Sequence, residues 1–172
     1  MASGRVRLER PSARRERDFI DAALRSRALH RGLVTAAATG VEYREYLDRM
    51  RHDDRASFFV LAKDSGDLAG VVEINDIIRD PQQFGRLGYY AFTPYAGTGL
   101  MREGLTLAIR VAFRDLALER LEANVQPSNR RSIALLEALG FAREGAQRDY
   151  KIGTRWRRHE RWALSAQDRH AG

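Results

Sequence analysis

The sequence contains no cysteine. Disulfides, thiolate metal sites, cysteine nucleophiles and iron–sulfur clusters are therefore excluded, and such a chain suits a reducing compartment. No window approaches the run of about 18 apolar residues that a membrane span needs. The arginine-rich stretch from Met1 to Arg17, interrupted by Glu9 and Glu16, also lacks the apolar segment of a signal peptide. A cytoplasmic protein without a membrane partner is expected. Lysine is almost missing too: Lys63 and Lys151 stand beside a large excess of arginine, which carries the net charge of +7. Proline occurs only as Pro11, Pro81, Pro94 and Pro127, and each falls between regularly patterned stretches, where a missing N–H does least harm.

What is present fits an ordinary globular protein: 172 residues, 44% of them hydrophobic and 31% charged. One domain over residues 1–172 is expected. A chain of this length hides roughly two-thirds of the surface its unfolded state exposes, enough for a core and a small-molecule cleft. The basic balance attracts phosphate-bearing partners, whether a nucleotide cofactor, nucleic acid or a ribosome. It speaks to association and not to fold, and specific nucleic-acid binding is not expected from it.

Periodicity then divides the chain. Val6 and Leu8 alternate with Arg7 and Glu9 in a short strand within Arg5 to Pro11, and Phe19, Ile20, Ala23 and Leu24 give Arg14 to Arg27 a helical face. Val41 to Met50 reads as a second helix; the stretch between the two, with Gly32 and Gly40, has little pattern. Phe58 to Ala62 and Leu68 to Ile78, joined by Asp64-Ser65-Gly66-Asp67, form a hairpin, and Leu87 to Phe92 is a further strand that halts at Thr93-Pro94. Met101, Leu105, Ala108, Ile109, Ala112 and Phe113 mark a long helix from Leu100 to about Leu116. Leu121 to Val125 is a strand, Pro127-Ser128-Asn129 opens a helix that stops at Gly140, and Ala146 to Leu164 holds two strand-like segments around Gly153-Thr154.

The first motif with chemical content is Gly97-Thr98-Gly99-Leu100-Met101, a glycine loop between a strand and the long helix. Glycines allow close backbone approach, and the free amides at a helix start attract an anion such as phosphate. Many helices begin after glycine for geometric reasons alone, so the loop by itself supports either reading. It is neither a Rossmann fingerprint, since Arg102 takes the third glycine's place, nor a Walker loop, since no Gly-Lys-Ser/Thr follows. The second motif is Asn129-Arg130-Arg131-Ser132 leading to Leu139-Gly140-Phe141.

Taken in order with Leu87-Gly88-Tyr89-Tyr90, Glu103 and Trp156-Arg157, these motifs resemble the GNAT acyl-CoA N-acyltransferases, particularly the RimJ/RimL branch. The resemblance extends from about Gly70 to Leu164 and, more loosely, to Arg7-Leu8-Glu9-Arg10-Pro11. It implies an α/β (α+β) fold: a mixed, mostly antiparallel central sheet flanked by helices and splayed between its fourth and fifth strands. It also implies acetyl-CoA in that gap, with the pantetheine arm on the backbone of Ala91, Phe92 and Thr93 and the pyrophosphate on the amides of Gly97, Thr98, Gly99, Leu100 and Met101. The usual Gln or Arg at the loop's start is Ala96 here, and its sixth place holds Met101. The implied acceptor is an amine, foremost a protein N-terminal α-amine such as that of a ribosomal protein; homodimers are common in the family.

Such a reaction needs a neutral amine, a donor for the oxyanion and a proton for the leaving thiolate. A backbone amide near Phe92 can donate. An α-amine, with pKa about 8, is easier to deprotonate than a lysine at about 10.4. By the family pattern Ser132 and Tyr150 can protonate or orient the thiolate, and Glu73 can act as base directly or through water. Each has a plainer reading: Asn129 as helix cap beside its place near the pantetheine, Ser132 as a polar helix-start residue, Tyr150 as a packed aromatic, and Glu73 as the solvent-facing member of an alternating strand. Glu103 reads as a structural first-turn carboxylate. His30, His52, His159 and His170 have no metal-ligand spacing, so no metal is expected. Arg155 to Trp162 reads as an alternating terminal strand in preference to an RNA-stacking patch. The rival readings are acetylation of a small amine (polyamine, amino acid or aminoglycoside) and a CoA-binding or RNA-associated module without turnover.

Overall fold

The computed structural model describes residues 4–169. His170 lies outside the described residues. Strand β1 (Val6–Glu9) is followed by helices α1 (Glu16–Arg25), α2 (Arg27–His30) and α3 (Gly40–Arg49). Strands β2 (Ala56–Ala62), β3 (Leu68–Ile78) and β4 (Phe84–Ala91) come next, then α4 (Leu100–Arg110), which continues as a π-helical turn over Val111–Asp115. The rest is β5 (Arg120–Val125), α5 (Arg130–Ala138), β6 (Ala142–Ile152) and β7 (Arg155–Ser165). One sheet of seven strands joins them in the order β1-β2-β3-β4-β5-β7-β6. All neighbours are antiparallel except β4 and β5.

That exception shapes the molecule. The parallel ladder pairs Phe84, Gly85, Arg86 and Leu87 of β4 with Arg120, Leu121, Glu122 and Ala123 of β5, and stops there. On its other side β4 stays paired with β3 as far as Gly70↔Ala91. Beyond Leu87 the two parallel strands therefore part, which is the splay that the resemblance implies.

The α4 face of β2 to β4 carries Phe58, Val60, Val72, Ile74 and Leu87, packed on Leu105, Ala108 and Ile109. The other face carries Phe59, Leu61 and Val71, packed on Phe19 of α1 and on Tyr43, Tyr46 and Leu47 of α3. Covered on both sides, β2 is buried along its whole length, which explains its unbroken apolar run. On β5 and β7 only the α4–α5 side is apolar, with Leu121, Ala123, Val125, Trp162 and Leu164 packed near Leu136. The opposite side holds an ion network of Arg120, Glu122, Glu144 and Arg161.

Several boundaries differ from the sequence reading for local reasons. The helix expected over Arg14 to Arg27 is a 3-10 turn plus α1 and α2, broken at the fully buried Ser26, whose hydroxyl donates back to the Ala22 carbonyl at 2.7 Å. Strand β4 starts at Phe84 rather than Leu87 because Gly85 lets it lie close on the sheet: a Cβ there would stand 2.6 Å from Ile74 Cγ2. Strand β6 begins at Ala142 rather than Ala146, across an irregularity between Arg143 and Gln147 that disturbs its alternation.

Candidate active site

The site is built where β4 leaves β5. The Phe92 amide donates to the Ala69 carbonyl at 2.8 Å. Alternation along an antiparallel pair then turns the backbone groups of Ala91 and Tyr89 away from β3, toward the gap. No residue of β4 beyond Leu87 pairs with β5, so this edge is available to an extended ligand arm. The opening is pinned from the helical side. Thr93 N–H donates to Ser26 Oγ at 2.9 Å, and His30 Nε2 lies 2.7 Å from the Ala91 carbonyl, its ring edge-on to Tyr90. Burial lowers the His30 pKa, so the ring is neutral at physiological pH with its proton on Nε2, donated to that carbonyl.

This narrows the expected pantetheine-binding edge. The amides of Phe92 and Thr93 are already committed inside the protein, and the Phe92 side chain is fully buried. The Tyr89 backbone and the Ala91 N–H carry the exposed edge instead, since the Ala91 carbonyl is taken by His30. The Phe92 amide itself being taken, the donor expected near Phe92 is left to the gap-side N–H of Ala91. His30, expected as a surface or satisfied histidine, is the latter.

Past the strand, the chain turns through Tyr95, whose N–H bonds to the Phe92 carbonyl, into the glycine loop. Gly97 and Gly99 hold φ of +77° and +87°, a left-handed backbone that favours glycine, so α4 starts abruptly. The Thr98 amide turns inward to the Tyr95 carbonyl at 3.3 Å. Those of Gly97, Gly99, Leu100 and Met101 find no acceptor among the described residues and face the helix start, where the dipole favours an anion. The loop therefore fits a pyrophosphate through four of the five amides expected. Met101 and Leu100 are buried in the core, so they can offer backbone only.

Helix α5 supplies the opposite wall. Asn129 caps it, its Oδ1 accepting from Ser132 N–H at 3.2 Å, an interaction worth about 1 kcal/mol. Ser132 Oγ lies 2.6 Å from the hydroxyl of Tyr89, which the sequence reading left unassigned. Burial raises the Tyr89 pKa to about 12, so the phenol keeps its proton. One hydrogen bond thus joins the two walls beside the point where they separate.

Glu73 and Tyr150 lie on the other side of the sheet. Val72 and Ile74 face α4, so Glu73 faces the α1–α3 side, half-buried rather than solvent-facing, with Asn75 Nδ2 at 3.5 Å. Burial raises its pKa, against smaller opposing effects of Asn75, Arg55 and Arg49. Tyr150 pairs with Arg157 on β7, and its ring packs edge-on against His159 at 5.1 Å, with its buried hydroxyl unpartnered among the described residues. The structure thus brings Ser132 and Asn129 to the gap with Tyr89, and separates Ser132 from Glu73 and Tyr150 by the thickness of the sheet. Among the described residues no group of three or more His, Cys, Asp or Glu is placed to hold a metal ion, and no helix is long and apolar enough to cross a membrane.

Comparison with known proteins agrees with this architecture. Residues 5–142 match the acetyltransferase (GNAT) domain model. The chain is 35% identical over 121 residues to the probable N-acetyltransferase YjcK of Bacillus subtilis, covering 70% of this chain and 67% of that protein. It is 36% identical over 120 residues to the ribosomal protein uS5-alanine N-acetyltransferase of Escherichia coli, covering 68% of this chain and 62% of that enzyme. The fold is shared with the ribosomal-protein-S5-alanine acetyltransferase of Vibrio fischeri, at TM-score 0.85, 23% identity, and 98% and 97% coverage of the two chains. It is shared too with spermidine N-acetyltransferase of Vibrio cholerae in complex with CoA and spermine, at TM-score 0.80, 18% identity, and 95% and 97% coverage. With most of its length, residues 5–142, matched by the family model, the chain belongs to the GNAT acetyltransferase family.

Proposed function

We propose that this protein transfers an acetyl group from acetyl-CoA to a protein N-terminal α-amine, both substrates being held at once across the β4–β5 gap. The observation that carries the transfer is the parting of β4 from β5 beyond Leu87, with the free amides of the Gly97–Met101 segment ahead of it. Bound there, acetyl-CoA supplies an activated acyl group as a thioester. The backbone of Tyr89 and Ala91 orients the pantetheine arm, and the outward amides of the loop hold the pyrophosphate. Asn129 borders the arm at the start of α5.

Ser132 and Glu73 divide the proton work. Ser132 Oγ, held by Tyr89 at 2.6 Å, stands on the α4–α5 side and donates toward the leaving sulfur. Glu73 stands on the opposite side, where a half-buried carboxylate with a raised pKa takes a proton from the incoming ammonium, directly or through water. Tyr150 stays on Glu73's side of the sheet, packed on His159 with its buried hydroxyl unpartnered among the described residues, so it takes no part in this division.

The α-amine reading is supported by the 36% identity to the uS5-alanine enzyme. It is also supported by chemistry, since an α-amine with pKa about 8 asks far less of a carboxylate base than an alkylamine above 10 does. The test is thiol release from acetyl-CoA with peptides bearing N-terminal alanine and serine, beside spermidine and other small amines. Turnover confined to peptides is expected. Turnover on spermidine alone overturns the acceptor, and binding of acetyl-CoA without any turnover overturns the enzyme.

A further inference from the structure

The loop that would receive the pyrophosphate carries no charged side chain from Thr93 to Met101. The first acidic group nearby, Glu103 in the first turn of α4, works against an incoming anion. The structure answers both points from the other end of the chain. Arg5, just ahead of β1, donates its backbone N–H to Glu103 Oε2 at 2.7 Å and its Nε to Glu103 Oε1 at 2.6 Å. The remaining arms of the guanidinium then lie over the loop. Nη1 donates to the Thr98 carbonyl at 3.3 Å, and Nη2 stands 2.9 Å from where a Cβ on Gly99 would be. Nη2 has no acceptor among the described residues.

We infer that Arg5 is a phosphate-binding residue of the CoA seat, reaching it from β1 and locked in place by Glu103. This rests on the acetyl-CoA reading above. The ion pair cancels the carboxylate's repulsion while leaving half of the planar fork directed at the loop, the geometry by which arginine grips phosphate oxygens. The bond to the Thr98 carbonyl also ties the guanidinium to the loop. Arg5 is exposed enough that removing its charge leaves the core untouched, its side chain being 58% accessible.

The test is calorimetric titration of the full chain with CoA at low and high salt, for wild type, Arg5→Gln, Arg5→Lys and Glu103→Gln, beside kcat/KM for acetyl-pantetheine, which has no phosphate. Arg5→Gln is expected to weaken CoA about tenfold and to flatten the salt dependence, since one charge-assisted contact is lost. Arg5→Lys restores part of the affinity, keeping the charge without the fork. Glu103→Gln weakens CoA less than Arg5→Gln does, because the lock and the carboxylate's repulsion are lost together. Acetyl-pantetheine turnover stays unchanged in Arg5→Gln. Equal CoA affinity and salt dependence in wild type and Arg5→Gln overturns the inference, and so does a matching loss with acetyl-pantetheine, which marks a merely structural role. Failure of the wild type itself to bind CoA overturns the cofactor reading instead.

Discussion

The sheet has two halves that differ in how they are covered. From β1 to β4, helices close both faces, and β2 and the first half of β3 are almost entirely buried. From β5 to β7, one face packs under α4 and α5 while the other presents Arg120, Glu122, Glu144 and Arg161 to water. The two halves are joined by only a short parallel ladder. The difference teaches how each half is held: the half that carries the glycine loop is packed on both faces, while the other leaves one face to ion pairs at the surface. Measurements can sharpen or break this contrast.

The largest effect is expected in the sealed half. Gly104 sits where α4 touches β2, and a Cβ there would stand 2.5 Å from Val60 Cγ2. Gly104→Leu should lower stability by about 3 kcal/mol in chemical denaturation, because helix and sheet must separate. Its counterpart in the open half, Gly153→Ala, meets no atom within 4 Å and strains only a φ of +60°, so about 1 kcal/mol is expected. Equal costs would dissolve the contrast. Next comes Gly99→Glu, which puts an anion in the phosphate seat. CoA affinity should fall about a hundredfold, or about 2.7 kcal/mol, by calorimetry, with a smaller stability loss from the left-handed backbone. Unchanged affinity would move the cofactor off this half.

At the junction of the halves, Ser132→Ala should lower kcat about thirtyfold with little change in KM for acetyl-CoA, and Tyr89→Phe should lower it less. Loss in KM alone would make Ser132 a binding group. Glu73→Gln tests the junction by pH. Burial raises the Glu73 pKa, so the folded state favours the protonated carboxyl; its stability contribution is full below the unfolded pKa and lost as pH rises through the folded one. The Gln variant should therefore melt higher than wild type at neutral pH, the difference closing in acid, while turnover drops if the carboxylate is the base. A variant with full turnover leaves Glu73 a strand residue. Smallest of all, Arg161→Ala in the solvated network should cost under about 1 kcal/mol, and less at high salt.

Much of the fold was legible because its elements carry their period. The α4 face from Met101 to Ile109, the α5 start at Asn129 and the apolar run of β2 follow from spacing and capping alone. The splay does not: nothing in the composition of β4 says that pairing stops at Leu87, and the order of motifs resembling a family was needed to expect it. Tyr89, Ser26, His30 and Arg5 stayed unread for one reason. Their partners Ser132, Thr93, Ala91 and Glu103 lie 43, 67, 61 and 98 positions away, beyond the reach of any local pattern. Phe92 and Thr93 were read as open edge because strand pattern does not reveal which amides the interior consumes.

By itself, then, the sequence determined the helices, the strands, the glycine loop that needs a left-handed backbone, and the absence of thiol chemistry, since each depends on neighbours along the chain. Tertiary structure alone decided which edge of β4 is free, which faces Glu73, Tyr150 and Ser132 occupy, and that Arg5 reaches the loop. Those outcomes depend on strand register and on contacts between distant segments, and a one-residue change of register would have turned Glu73 and Tyr150 to the opposite face.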